Sequence, residues 1–211
     1  MDKHLVAFDA NGTLLDDRDQ FFEALNAVFI HFGCDPLPPD EIRERFSQPW
    51  TDIYSKAGIY PQHGQEELYR LYNDAYRAAT PPPQAANGCA EALEALRAQG
   101  CLLAVISAQQ DEITRPLLET LGLLTHFNDV VSGVEDKAEA LRALLKRYNL
   151  APAQSAYVGD QDSDMRFARR VGVLAIGYAG GIHSPARLLN AGAQVLIDRL
   201  DEIPGLFVAE G

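Results

Sequence analysis

From residue 89 onward the chain alternates short apolar runs with amphipathic stretches, and nothing else in the sequence constrains the fold as tightly. Leu102–Ile106, Val130–Val131, Ala156–Val158, Val173–Ile176 and Val195–Ile197 read as strands. Between them the spacing predicts helices over 89–99, 111–121, 137–148, 163–171 and 184–191. In 137–148, Leu141, Leu144, Leu145 and Tyr148 fall on one side, and Gly100, Gly122 and Gly172 close three of the helices. Strands that are apolar throughout are buried on both faces. Alternating with helices, they predict a parallel sheet covered on both sides. Leu5–Phe8 supplies one further strand of the same kind.

The stretch between that first strand and residue 83 has a different pattern. Helical periodicity covers 19–32, where Leu25, Val28, Phe29 and Phe32 share a face. It returns over 39–46 and 66–79, the latter with Leu68, Leu71, Tyr72, Ala75 and Tyr76. Pro81-Pro82-Pro83 ends the block. The predicted class is therefore α/β: a Rossmann-like parallel-sheet core from residues 1–16 and 84–211, with an all-helical domain, 17–83, inserted into it.

The chain has 211 residues and a formal net charge of -12, which argues against nucleic acid or an anionic membrane as partner. No apolar run reaches the roughly 18 residues of a membrane helix. The first strand follows the N-terminus directly, without the basic and apolar regions of a signal peptide. Cys34, Cys89 and Cys101 are odd in number and form no CxxC, as expected of reduced thiols. These features predict a soluble cytoplasmic protein.

An open parallel sheet binds ligands beyond the C-terminal ends of its strands. Asp9, Ser107, Lys137 and Asp160 stand at or near four such ends. Gly159 to Asp164, GDQDSD, gathers several carboxylates around one short loop. Such acids repel one another unless a cation lies between them, and oxygen donors suit a hard ion such as Mg²⁺. A calcium loop starting at Asp160 fails, because Met165 stands where Gly is needed and Val171 where Glu is needed. Ser163 or Asp162 would also serve as a helix cap. Lys137 opens a helix, against the dipole, and reads either as a solvated surface lysine or as a charge clamp on Asp9 and on a bound anion, which would hold it there. Ser107 has a hydroxyl to donate to an anion or to a helix cap.

DANGTLLD, the VIS of 105–107, Lys137 and GDQDSD, in that order, resemble the four motifs of the haloacid dehalogenase-like hydrolase superfamily. The resemblance spans essentially the whole chain, and the helices before residue 83 resemble the small helical cap of its phosphatases. It implies that Asp9 is the nucleophile, forming an aspartyl-phosphate. It implies Mg²⁺ held by Asp9, Asp160 and the backbone carbonyl of Asn11, with Asp164 orienting that shell. Ser107 and Lys137 would bind the phosphoryl oxygens of a small phosphorylated substrate. Thr13, supporting the turn, and Ala108 complete the substrate-facing set.

The chain departs from the family pattern in three places. Ala108 stands where Asn is usual, and no Pro follows Lys137. Above all, Asn11 replaces the second Asp, which protonates the leaving oxygen and then activates water; losing such a group costs about 10²–10⁴ in rate. Four readings of Asn11 stand open. The substrate has a leaving group that needs no acid. The chain resembles the DAYGT dehalogenases, or cleaves C–P bonds. It binds a phosphorylated ligand without turnover. Or Asn11 is an introduced or deamidating residue. Substrate choice is expected at Ser47-Gln48-Pro49-Trp50, with Gln48 as a hydrogen-bond handle and Trp50 either an apolar wall of the site or part of the core of the helical domain. Arg43 and Arg45 read as a solvated helix face ahead of a catch for a second anionic group, and His183, after the loop Gly177–Gly181, reads as surface ahead of a pocket border. The expected assembly is a monomer or homodimer.

Overall fold

A computed structural model of the protein describes residues 4–134 and 136–207. In chain order the elements are β1 (Leu5–Phe8), β2 (Leu15–Asp16), α1 (Arg18–His31), α2 (Pro39–Arg45), α3 (Asp52–Ser55), α4 (Gln65–Ala78), β3 (Gln84–Ala85), α5 (Cys89–Ala98), β4 (Leu102–Ile106), α6 (Asp111–Thr120), β5 (Asp129–Val131), α7 (Lys137–Tyr148), β6 (Ser155–Gly159), α8 (Asp162–Val171), β7 (Leu174–Tyr178), α9 (Pro185–Asn190) and β8 (Val195–Ile197). The chain divides into two compact units, one up to Asp16 and from Gln84 on, the other Asp17–Pro83.

Six strands of the first unit form one parallel sheet in the order β5-β4-β1-β6-β7-β8. β1 is central because all four of its residues are apolar and fully buried. Its side chains alternate between the two faces. Val6 and Phe8 pack with Leu93, Leu96, Leu103 and Val105; Leu5 and Ala7 pack with Ile106, Leu141 and Met165. Each fully buried Leu, Val or Phe contributes about 1.5–3 kcal/mol. A charge-bearing turn at the end of β1 is therefore carried on the most heavily buried strand of the sheet.

In the first unit, two features that the periodicity reading missed stand out. Leu15–Asp16 pairs antiparallel with Gln84–Ala85, and two residues per strand are too few to show a period. Leu200–Phe207 forms a 3-10 segment that adds Leu200 and Ile203 to the core face of α5; at three residues per turn it does not follow the helical spacing.

The second unit is all-helical, and α1 packs along α4. Its core is aromatic. Phe21 stands edge-on to Phe22, Phe46 and Tyr72, Phe29 packs on Tyr54, and Tyr72 stacks on Tyr76. The Tyr76 hydroxyl donates to buried Asp17 at 2.6 Å. Among the described residues no helix is long and apolar enough to cross a membrane.

Candidate active site

Asp9 follows β1 directly. Its N–H donates to the Val158 carbonyl on β6 at 2.9 Å, so the ladder carries the residue one step beyond the strand. The chain then turns at once: the N–H groups of Leu14 and Leu15 both donate to the Ala10 carbonyl. Gly12 makes that turn possible with φ +73, and a Cβ there would collide with the Asp160 carboxylate. The short turn thus brings the ends of β1 and β6 together.

Four charged groups meet at this point. Lys137 Nζ lies 2.7 Å from Asp9 Oδ2 and 2.8 Å from Asp164 Oδ1. The second oxygen of Asp9 accepts from the Ala10 N–H at 2.7 Å, and that of Asp164 from the Gln161 N–H at 3.0 Å. Asp160 takes Thr13 Oγ1 on one oxygen, at 3.0 Å, and the Ile182 N–H on the other, at 2.8 Å. All four are buried, Asp160 and Asp164 completely. This explains Lys137. At the first position of α7 it opposes the dipole, but two carboxylates hold it.

Burial raises Asp9 to about 7, against the pull of the Lys137 ammonium and with help from the Asp164 charge. Burial also lifts Asp160 well above the carboxylate range, with Asp9 and Asp164 adding repulsion. For Lys137 burial acts downward, but Asp164 and Asp9 outweigh it and hold the ammonium above its ordinary value. Carboxylate oxygens of Asp9, Asp160 and Asp164 lie within 4.8 Å of one another. Three buried carboxylates face one ammonium, and the groups bonded to Asp160 are a neutral hydroxyl and an amide. The donor set fits a hard divalent cation, whose charge would relieve this excess.

Other residues singled out from the sequence have mixed placements. Ser107 directly follows β4, buried, and its Oγ accepts from the Gln109 N–H at 3.1 Å; the cap position of α6 belongs to Gln110. The hydroxyl proton remains to be donated. Ala108 beside it is half-buried, as is Asn11. Thr13 turns its hydroxyl to Asp160, so it holds the acid turn rather than facing outward. Neither Ser163 nor Asp162 caps α8. Asp164 does so through Gln161, while Asp162 binds Arg166 and Arg187, each at 3.0 Å.

Gln48 and Trp50 belong to the helical unit. Gln48 Oε1 accepts from the Trp50 N–H at 3.2 Å, and the indole packs on Tyr54 and Tyr69 with its N–H buried and unpaired. Arg43 and Arg45 pair with Asp40 and Glu41 along α2, as a solvated face does. Of the two readings of His183, the structure overturns the surface one. The residue is 1% exposed and bonded into the acid turn. The legible signal was Gly180-Gly181 after a strand end, which marks a close backbone approach; a Cβ on Gly181 would strike Asp160.

Comparison with known proteins agrees with this geometry. The haloacid dehalogenase-like hydrolase family matches residues 6–178. A phosphoglycolate phosphatase of Chromobacterium violaceum is 30% identical, over 95% of this chain and 96% of its own. One from Synechococcus elongatus is 28% identical over 88% of each. Among solved structures, a haloacid dehalogenase-like family hydrolase of Streptococcus pneumoniae superposes with a TM-score of 0.83 at 22% identity, over 97% of this chain and 98% of its own, and so shares the fold. The chain belongs to the haloacid dehalogenase-like hydrolases.

Proposed function

We propose that the protein is a Mg²⁺-dependent phosphatase of small phosphorylated metabolites, favouring substrates whose leaving group departs without a proton. The observation that carries this reading is Asp9 at the end of the central strand, with one oxygen on a buried ammonium and two further buried carboxylates beside it. An Asp9 oxygen attacks phosphorus, the bond to the leaving oxygen breaks, and that oxygen keeps the electron pair. Water then cleaves the aspartyl-phosphate. Lys137 and the Ser107 hydroxyl bind the phosphoryl oxygens as charge develops. Mg²⁺, held by Asp9, Asp160 and the Asn11 carbonyl with Asp164 beside them, would neutralise phosphoryl charge when bound.

Asn11 sets the preference. Its amide has no acidic proton for a leaving alkoxide, so acyl and aryl phosphates are better substrates than alkyl esters. The surplus of buried carboxylate favours phosphoryl over carbon–halogen chemistry, which needs no cation. The helical unit 17–83 takes the part of the family's cap, with Gln48 and Trp50 selecting the substrate. The test is phosphate release from acetyl phosphate, an aryl phosphate and 2-phosphoglycolate (the ester named for the relatives), with and without Mg²⁺. The protein is expected to cleave the activated compounds faster. Asn11→Asp is expected to raise the alkyl-ester rate by about 10²–10⁴. Turnover that needs no cation, or that survives Asp9→Asn, overturns the reading.

A further inference from the structure

The sheet-end chemistry leaves one buried group without a task. His183 lies in the loop between β7 and α9, far from the acid turn in sequence, yet it is bonded to that turn at two points. Its backbone N–H donates to the Asp160 carbonyl at 3.2 Å, and its imidazole Nδ1 accepts from the Asp162 N–H at 2.9 Å. The ring nitrogen that faces the chain is therefore the unprotonated one. Its neighbour Ile182 donates its N–H to Asp160 Oδ2 at 2.8 Å, and Gly181 leaves no space between loop and carboxylate. The loop thus grips the residues on either side of Gln161, through the Asp160 carbonyl and the Asp162 N–H, as well as the Asp160 side chain. Beyond it, Arg187 on α9 reaches Asp162 Oδ2 at 3.0 Å and ties the same two segments from outside.

We infer that His183 is a positioning residue: its Nδ1 fixes the Asp160–Asp162 turn and so sets the aim of the Asp160 carboxylate at the cation site. The inference rests on the cation reading of the acid cluster given above. His183 touches neither phosphorus nor cation. It acts through a backbone N–H that would otherwise be buried without an acceptor, and through the carboxylate that this turn presents. Outer partners of metal ligands that fix orientation in this way are worth about 10–100-fold in affinity.

The experiment is calorimetric titration of the metal-free full chain with Mn²⁺, alongside its thermal unfolding in EDTA. Four proteins are compared: the natural one, His183→Ala, His183→Asn and His183→Gln. The Asn amide oxygen sits where Nδ1 does and accepts the same N–H; the Gln amide extends toward the Nε2 position and does not. Weaker Mn²⁺ binding by about tenfold or more is expected for His183→Ala and His183→Gln, with most of it restored in His183→Asn. Equal Mn²⁺ affinity in the Asn and Gln variants overturns the inference, because both fill the site and only the acceptor differs. That pair decides the matter even where the Ala variant does not fold. A natural protein that binds no Mn²⁺ overturns the cation reading, and this inference with it; a natural protein that binds while all folded variants bind equally well overturns this inference alone.

Discussion

The acid turn of the core unit and the Trp50 loop of the helical unit solve opposite problems. At the acid turn, charged groups are buried and each is held by short hydrogen bonds: Asp9 by Ala10 and Lys137, Asp164 by Gln161 and Lys137, Asp160 by Thr13 and Ile182. Around Trp50 the packing is ring on ring, with Tyr54 and Tyr69, and the indole N–H is buried with no acceptor. The first region stores electrostatic cost in order to do chemistry. The second is held by area and shape and has one polar group left over. A substitution that removes a polar atom should therefore have opposite consequences in the two places.

The largest expected effect is chemical. Asp9→Asn removes the carboxylate proposed to attack phosphorus, and on that proposal kcat/KM for any phosphate ester should fall by about 10⁴–10⁶. The same change takes one negative charge out of a cluster with three carboxylates and one ammonium. In EDTA the variant should therefore melt no lower than the natural protein. A large drop in Tm would mean that Asp9 is chiefly a structural partner of Lys137. Lys137→Met is the reverse case. It leaves Asp9 and Asp164 buried with no counter-charge and should cost about 3–5 kcal/mol in the metal-free protein, read from urea unfolding. Excess Mg²⁺ should restore part of that loss, and no restoration would break the assignment of the cluster to a cation.

How far the sequence revealed these two regions follows from the same contrast. Strand β1 and the residues at the strand ends were legible because burial on both faces forces an unbroken apolar run, and an acid ending such a run is conspicuous. Lys137 was legible as a charge on the wrong end of a helix. For His183 only the glycine-rich loop before it was legible, not its bonds, since its partners Asp160 and Asp162 are more than twenty residues away and no local period links them. Asp164 was set apart from Asp162 only through the family resemblance; the ion partners of the two were not legible, because only the direction of α8 sends Asp164 toward Lys137 and Asp162 toward Arg187. In the helical unit the faces of α1 and α4 could be read from spacing, but the four-residue α3 could not, because one turn has no period.

A third effect, intermediate in size, concerns pH. Asp9 is raised to about 7 and Asp160 is raised as well, both chiefly by burial. Between about pH 4, the ordinary carboxylate value, and pH 7 the folded metal-free chain binds more protons than the unfolded one. The Asp9 contribution to stability is complete below that window and is lost as pH rises through it, and the raised Asp160 acts in the same direction. A cation must displace the same protons, so its affinity rises with pH over the same range. The gap between Tm in Mg²⁺ and Tm in EDTA should widen from pH 5.5 to pH 8. A gap that is constant or narrows would show that protons and cation do not compete for these carboxylates.

The smallest effect is expected at Trp50, and it is the sharpest test of the contrast. Trp50→Phe keeps an aromatic ring against Tyr54 and Tyr69 and removes a buried side-chain N–H that has no acceptor. Losing an unpaired buried donor is favourable by about 1–3 kcal/mol, and the smaller ring gives back packing of similar size. Stability should therefore change by no more than about 1 kcal/mol in either direction. Trp50→Ala loses the ring contacts as well and should destabilise by about 2–3 kcal/mol, below the range for a fully buried Trp because this one is half-buried. If Trp50→Phe unfolds as readily as Trp50→Ala, the indole N–H is satisfied in solution, and the helical unit uses hydrogen bonds as the acid turn does. If Trp50→Phe leaves stability unchanged but shifts KM among phosphate esters, the N–H is kept for the substrate rather than for the fold.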